Sequence, residues 1–94
     1  MSHFFKETYG KDLDSAGCLN LEGTAAIDSD LAHCAEVPGL KTLYVSRKIT
    51  ETGIAHLSSA AELEELYLGD SMLVTKDRAR QILGKSHPNL KYYY

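Results

Sequence analysis

Between residues 40 and 63 the apolar positions of the chain change period partway along. Leu40, Leu43 and Val45 are spaced as a short strand with a bend before it, whereas Ile54, Leu57 and Ala61 recur at helical spacing. A strand and a helix in so short a stretch predict one unit of a stacked array, in which each turn of the chain buries its apolar side against its neighbours. Thr50 is the expected N-cap of the helix.

The same pattern appears before and after this stretch. In Ala16–Cys34, Leu19 and Leu21 alternate as strand residues, and Leu31 and Cys34 lie three apart on a helix that Asp28 or Ser29 is placed to cap. Pro38-Gly39 ends that helix and returns the chain to Leu40. From Leu63, L-E-E-L-Y-L predicts another strand, and Ala79, Ile82 and Leu83 form the apolar side of a helix over Lys76–Leu83 that Gly84 closes. Pro88-Asn89 turns the chain, and Leu90–Tyr94 restarts the strand pattern. Phe4, Phe5, Tyr9 and Leu13 suit a short helix outside the repeat, placed to cover the open end of the array; a disordered arm is the alternative.

The motif L-x-x-L-x-L, a short polar turn and then I-T-x-x-G-[IL]-A-H-L resembles the leucine-rich repeat family, in the subtype with repeats of about 24 residues. Leu40, Leu43, Val45, Ile49, Thr50, Gly53, Ile54, Ala55, His56 and Leu57 stand on that pattern, as do Leu19, Leu21, Gly23, Thr24, Asp28, Leu31, Ala32 and His33. The resemblance implies an α/β solenoid of about three repeats, with a short parallel sheet on the concave side and helices on the convex side. The division expected is an N-terminal cap over 1–15, repeats over 16–39, 40–62 and 63–89, and a terminal strand over 90–94, all in a single domain 1–94. Departures are visible: Ala16 and Ala26 stand where Leu and Ile are usual, Asp30 stands where the helix start has Gly, and V-T-K-D-R-A also lacks that Gly.

In such an array the residue between the second and third apolar strand positions faces solvent. Taken from each copy this gives Asn20, Tyr44, Tyr67 and Tyr94, so that three tyrosines spaced about 4.8 Å apart form a ladder. Tyrosine suits rigid, amphipathic contact with a protein partner, although it is also simply a good strand former. Thr42 and Glu65 fall in a flanking column with Cys18 and Tyr92, and Arg47, Lys48 and Asp70 follow their strands.

Composition narrows the function classes. The 94 residues carry a formal net charge of −3, and Glu51, Glu62, Glu64 and Glu65 interrupt the basic positions, which disfavours a nucleic-acid partner. No apolar run approaches the ~20 residues of a membrane span, so no membrane insertion is expected. Two cysteines, Cys18 and Cys34, make no disulfide framework, which suggests an intracellular and cytoplasmic setting; a faint similarity to mitochondrial leucine-rich-repeat assembly factors keeps that compartment open. His33, His56 and Cys34 lack the local spacing of a four-ligand zinc site, and Gly84-Lys85-Ser86 lacks the earlier Gly of a phosphate-binding loop. No metal, cofactor or catalytic residue is therefore expected. The reading is a non-enzymatic module that binds another protein through Tyr44, Tyr67 and Tyr94, with Thr42, Glu65, Arg47 and Lys48 setting specificity. The alternative is a structural or assembly subunit that associates, with another chain or with itself, through the edge strand Leu90–Tyr94.

Overall fold

Each of the three L-x-x-L-x-L-type stretches forms one short strand and turns away from it. The structure, a computed structural model, describes residues 4–69, 71 and 73–94. The strands are β1 (Cys18–Asn20), β2 (Thr42–Tyr44), β3 (Glu65–Tyr67) and β4 (Lys91–Tyr93), all parallel in the order β1-β2-β3-β4. In every one the middle residue is buried, and these residues lie in register as Leu19, Leu43, Leu66 and Tyr92. Leu21, Val45 and Leu68, two positions on, are also fully buried, as the alternation predicts.

Helical segments connect the strands. These are α2 (Asp28–Leu31) running into a 3-10 turn over Ala32–Glu36, α3 (Glu51–His56) running into a 3-10 turn over Leu57–Ser59, and α4 (Lys76–Leu83). A further helix, α1 (Phe4–Tyr9), precedes the sheet, and Phe5 is buried in the common core with Tyr9 and Leu13 packed against it. The side chain of Phe4, and Asp70, lie outside the described residues. Ala26, Ile49 and Val74, the residues just before the N-caps, are all buried, so the alanine at 26 does stand where the other units carry a larger side chain.

Two helix starts follow the expected chemistry. Thr50 and Thr75 cap α3 and α4, accepting from the N–H groups of Thr52 and Arg78. The expected cap of α2 is corrected. Its N-cap is Ile27, and Asp28 is instead the first helical residue. The Asp28 carboxylate reaches the next unit, where it accepts the N–H of Thr50 at 2.7 Å and the Thr50 hydroxyl. Asp30 accepts the Ile27 N–H at 3.0 Å and the Tyr9 hydroxyl at 2.5 Å, which ties α1 to α2 and, with burial, raises the Tyr9 phenol to about 12. Glu51 and Arg78 form a forked pair at 2.7 and 3.1 Å between α3 and α4, which lowers the Glu51 carboxyl and raises the guanidinium. Side chains thus join the end of α1 to α2, and the starts of α2, α3 and α4 to one another.

This stitching explains the glycine in I-T-E-T-G. A Cβ on Gly53 would sit 2.5 Å from Asp28 Oδ1, 3.0 Å from Ile49 Cγ2 and 3.2 Å from Asp28 Cα. Alanine normally gains up to ~1 kcal/mol over glycine within a helix. Here the close approach wins, and Gly53→Ala is expected to lower stability by ~1–2 kcal/mol in urea unfolding. In an Asp28→Ala background the same substitution is expected to cost less, because the nearest clashing atom is gone. Equal costs in the two backgrounds would show that the carboxylate is not what excludes the side chain.

Two buried polar groups secure the turns. Ser46 donates to the Ala26 carbonyl at 2.6 Å, and His87 Nε2 bonds the Ala60 carbonyl at 2.7 Å while its Nδ1 lies 2.9 Å from Ser86 Oγ. Each links positions twenty or more residues apart in sequence. Among the described residues no helix is long and apolar enough to cross a membrane.

Candidate functional site

The face of the sheet opposite the helices carries the residues on either side of each buried middle position. Register places Asn20, Tyr44, Tyr67 and Tyr93 in one column and Cys18, Thr42, Glu65 and Lys91 in the other. Rings of Tyr44 and Tyr67 stack with centroids 4.2 Å apart and planes 8° from parallel, and those of Tyr67 and Tyr93 stack at 4.7 Å and 19°. These separations match the spacing of parallel strands, so the backbone itself sets the stack. All three rings are half-buried, each shielded by its neighbour.

The third ring of the ladder is therefore Tyr93, and the expected Tyr94 is corrected, as is Tyr92 in the flanking column. The cause is a one-residue difference in how the strands begin. Consecutive N–H groups of Lys41 and Thr42 share the Gly17 carbonyl, and those of Glu64 and Glu65 share the Lys41 carbonyl. Before β4 only one such group is present: Lys91 N–H bonds the Glu64 carbonyl. Leu90 does close its turn as Leu63 does: its N–H donates to the His87 carbonyl three residues back, as the Leu63 N–H donates to the Ala60 carbonyl. The doubled residue between that leucine and the strand is missing, so every later side chain changes face. Tyr92 enters the core, where burial raises its phenol and the Arg80 guanidinium lies 5.2 Å from the ring centroid.

Tyr94 sits elsewhere. Its hydroxyl accepts the Lys76 N–H at 3.1 Å at the start of α4, and Lys76 Nζ stands 4.8 Å over its ring. With 66% exposure it packs on the helix end and leaves the open face to Tyr93.

Around the ladder the polar partners are defined. Thr42 Oγ1 donates to Glu65 Oε1 at 3.0 Å, and Lys91 follows Glu65 in register. Asn20 turns its amide oxygen onto the Glu22 N–H at 2.9 Å, capping the loop after β1. Arg47 and Lys48 are exposed in the turn after β2. Burial raises the Tyr67 phenol, with the phenols of Tyr44 and Tyr93 and the Glu65 carboxylate adding to the effect. The ladder presents hydroxyls that donate and accept.

Other candidate chemistry is not assembled. Cys18 is only partly exposed, and burial together with the charges of Asp14 and Glu65 raises its thiol, which disfavours the thiolate. Cys34 is in the core, its thiol pushed up to about 12 by burial. His33 lies 3.4 Å from Glu36, and among the described residues no group of three or more His, Cys, Asp or Glu is placed to hold a metal ion.

Lys91 and Tyr93 were not singled out by the sequence pattern. In L-K-Y-Y-Y either register puts an aromatic or aliphatic side chain in the core, so alternation alone does not choose between them. Comparison of the chain with protein-family models, with curated proteins and with solved structures finds no match in any of the three.

Proposed function

We propose that the chain is a short leucine-rich-repeat solenoid that acts as a non-enzymatic module, binding a protein partner through the open face of its sheet. The observation that carries this reading is the stacked ladder of Tyr44, Tyr67 and Tyr93 on the face opposite the helices. Three pre-stacked rings lose little side-chain freedom when a partner settles on them, and their hydroxyls supply directional bonds. Thr42, Glu65 and Lys91 beside the ladder, and Arg47 and Lys48 beyond β2, provide the charged and polar surround that sets specificity. Parallel strands 23 residues apart in sequence at β2 and β3 support the repeat reading, as do matching threonine caps at 50 and 75.

Affinity capture from the native source, with the intact chain as bait, tests this directly. Tyr44→Ala combined with Tyr67→Ala is expected to weaken capture by ~100-fold or more while the protein stays folded. Unchanged capture with a lowered melting temperature would make the ladder a stabilising device of the sheet and end the interface reading.

A further inference from the structure

The two edges of the sheet differ. At β1 the chain itself covers the first residue of the edge: Asp14 Oδ1 accepts the Cys18 N–H at 3.0 Å, and the Asp14 N–H donates to the Cys18 carbonyl at 3.1 Å. Among the described residues β4 is bonded on one side only. The Lys91 N–H donates to the Glu64 carbonyl at 3.0 Å, and the Tyr93 carbonyl accepts the Leu68 N–H at 2.7 Å, so residues 91 and 93 direct their backbone groups at β3. Tyr92, between them, directs its N–H and C=O outward.

Adding β4 of a second copy to the β1 edge would break both Asp14 bonds to Cys18, which disfavours an open chain of head-to-tail sheets. We propose that the open edge instead pairs with itself, β4 against β4 of a second copy, antiparallel about a two-fold axis beside Tyr92. In that arrangement the two Tyr92 residues exchange both backbone bonds, and the Leu90 carbonyl meets the Tyr94 N–H of the second copy. Lys91 and Tyr93 of the second copy then form the close, non-hydrogen-bonded pair, with Cα atoms about 4.5 Å apart and side chains on the same open face.

That pairing is what makes the edge self-complementary. Tyr93 has one ring face on Tyr67, and among the described residues no ring or cation is on the other. Lysine on an edge strand usually resists pairing because its charge is left without a partner. Here the two-fold sets each ammonium beside the free face of a tyrosine, and the contact occurs twice. Tyr92 Oη is buried with no hydrogen-bond partner among the described residues, and the axis brings the second Tyr92 next to it. The inference shares Lys91 and Tyr93 with the open-face reading but turns on the backbone edge of β4, which that reading does not use.

A pairing that spans only Leu90 to Tyr94 on each side makes a small interface, so association is expected at ~100 μM protein. Sedimentation across concentration, with amide exchange followed residue by residue, tests it on the intact chain. The expected result is a mass that rises to two copies and stops, with the Tyr92 amide gaining protection more steeply than that of Lys91. Lys91→Ala, at an exposed position, is expected to keep the melting temperature and weaken the dimer by ~10-fold. The Tyr44→Ala, Tyr67→Ala protein is expected to dimerise as before, which separates this result from the fate of the open-face reading. A monomer up to ~1 mM would overturn the proposal, as would assembly beyond two copies or a dimer that leaves the Tyr92 amide unprotected.

Discussion

Leu66→Ala is expected to remove ~3–5 kcal/mol of stability, whereas Tyr67→Ala, one position along the same strand, is expected to shift the melting temperature far less. Leu66 is fully buried at the centre of the third strand, between Leu43 and Tyr92 in register, so its truncation opens a cavity that no neighbour can collapse into. A domain of this size has a total stability of ~5–14 kcal/mol, so the leucine variant stands near the edge of folding at ambient temperature. Urea unfolding of the two variants side by side is the measurement. Similar losses at 66 and 67 would mean that the strand is turned over or that both faces are covered, and the open face would cease to exist. The same contrast is expected at β4, with Tyr92→Ala costly and Tyr93→Ala mild.

Gly17→Ala carries the next largest expected effect, ~2–4 kcal/mol, measured in the same way. Gly17 has φ +81°, a conformation that costs an L side chain energy wherever it occurs. A Cβ there would also lie 2.5 Å from the Gly39 carbonyl oxygen, a backbone atom that cannot rotate aside. Moreover the Gly17 carbonyl takes both the Lys41 and Thr42 N–H groups, so any shift of residue 17 is passed to the start of β2. Gly23→Ala is the control: φ is +78° but nothing lies within 4 Å of the added carbon, so only the strain is felt. Equal losses at 17 and 23 would show that the close approach contributes nothing.

The sheet was legible because its signal is repeated. Leu19 with Leu21, Leu43 with Val45 and Leu66 with Leu68 present the same spacing three times, and all six residues are buried. The helix start at Thr50 was legible because a capping threonine acts within its own turn, and Thr75, which the sequence pattern did not single out, does the same for α4. Asp28 was misassigned because its partner, Thr50, lies 22 residues away. A carboxylate ahead of a helix looks the same in sequence whether it caps its own helix or the next. Ser46 and His87 gave no signal, because a single buried hydroxyl or imidazole is made tolerable by one distant carbonyl that sequence does not reveal. The last strand failed on a different count. One omitted residue between Leu90 and Lys91 moved Tyr93 onto the ladder and Tyr94 to the end of α4. With three tyrosines in a row, both outcomes satisfy the apolar pattern. Asp70, expected to extend the open face, lies outside the described residues.

Among the described residues none of the four helices exceeds eight residues, and two of them have six or fewer before passing into a 3-10 turn. Segments of that length do not hold a helical shape by themselves in water. Order in any one of them therefore depends on the carboxylate, phenol or guanidinium offered by the segment before or after it, through Tyr9 to Asp30, Asp28 to Thr50 and Glu51 to Arg78. A peptide cut to one strand and its helix is therefore expected to give the circular dichroism of a random coil.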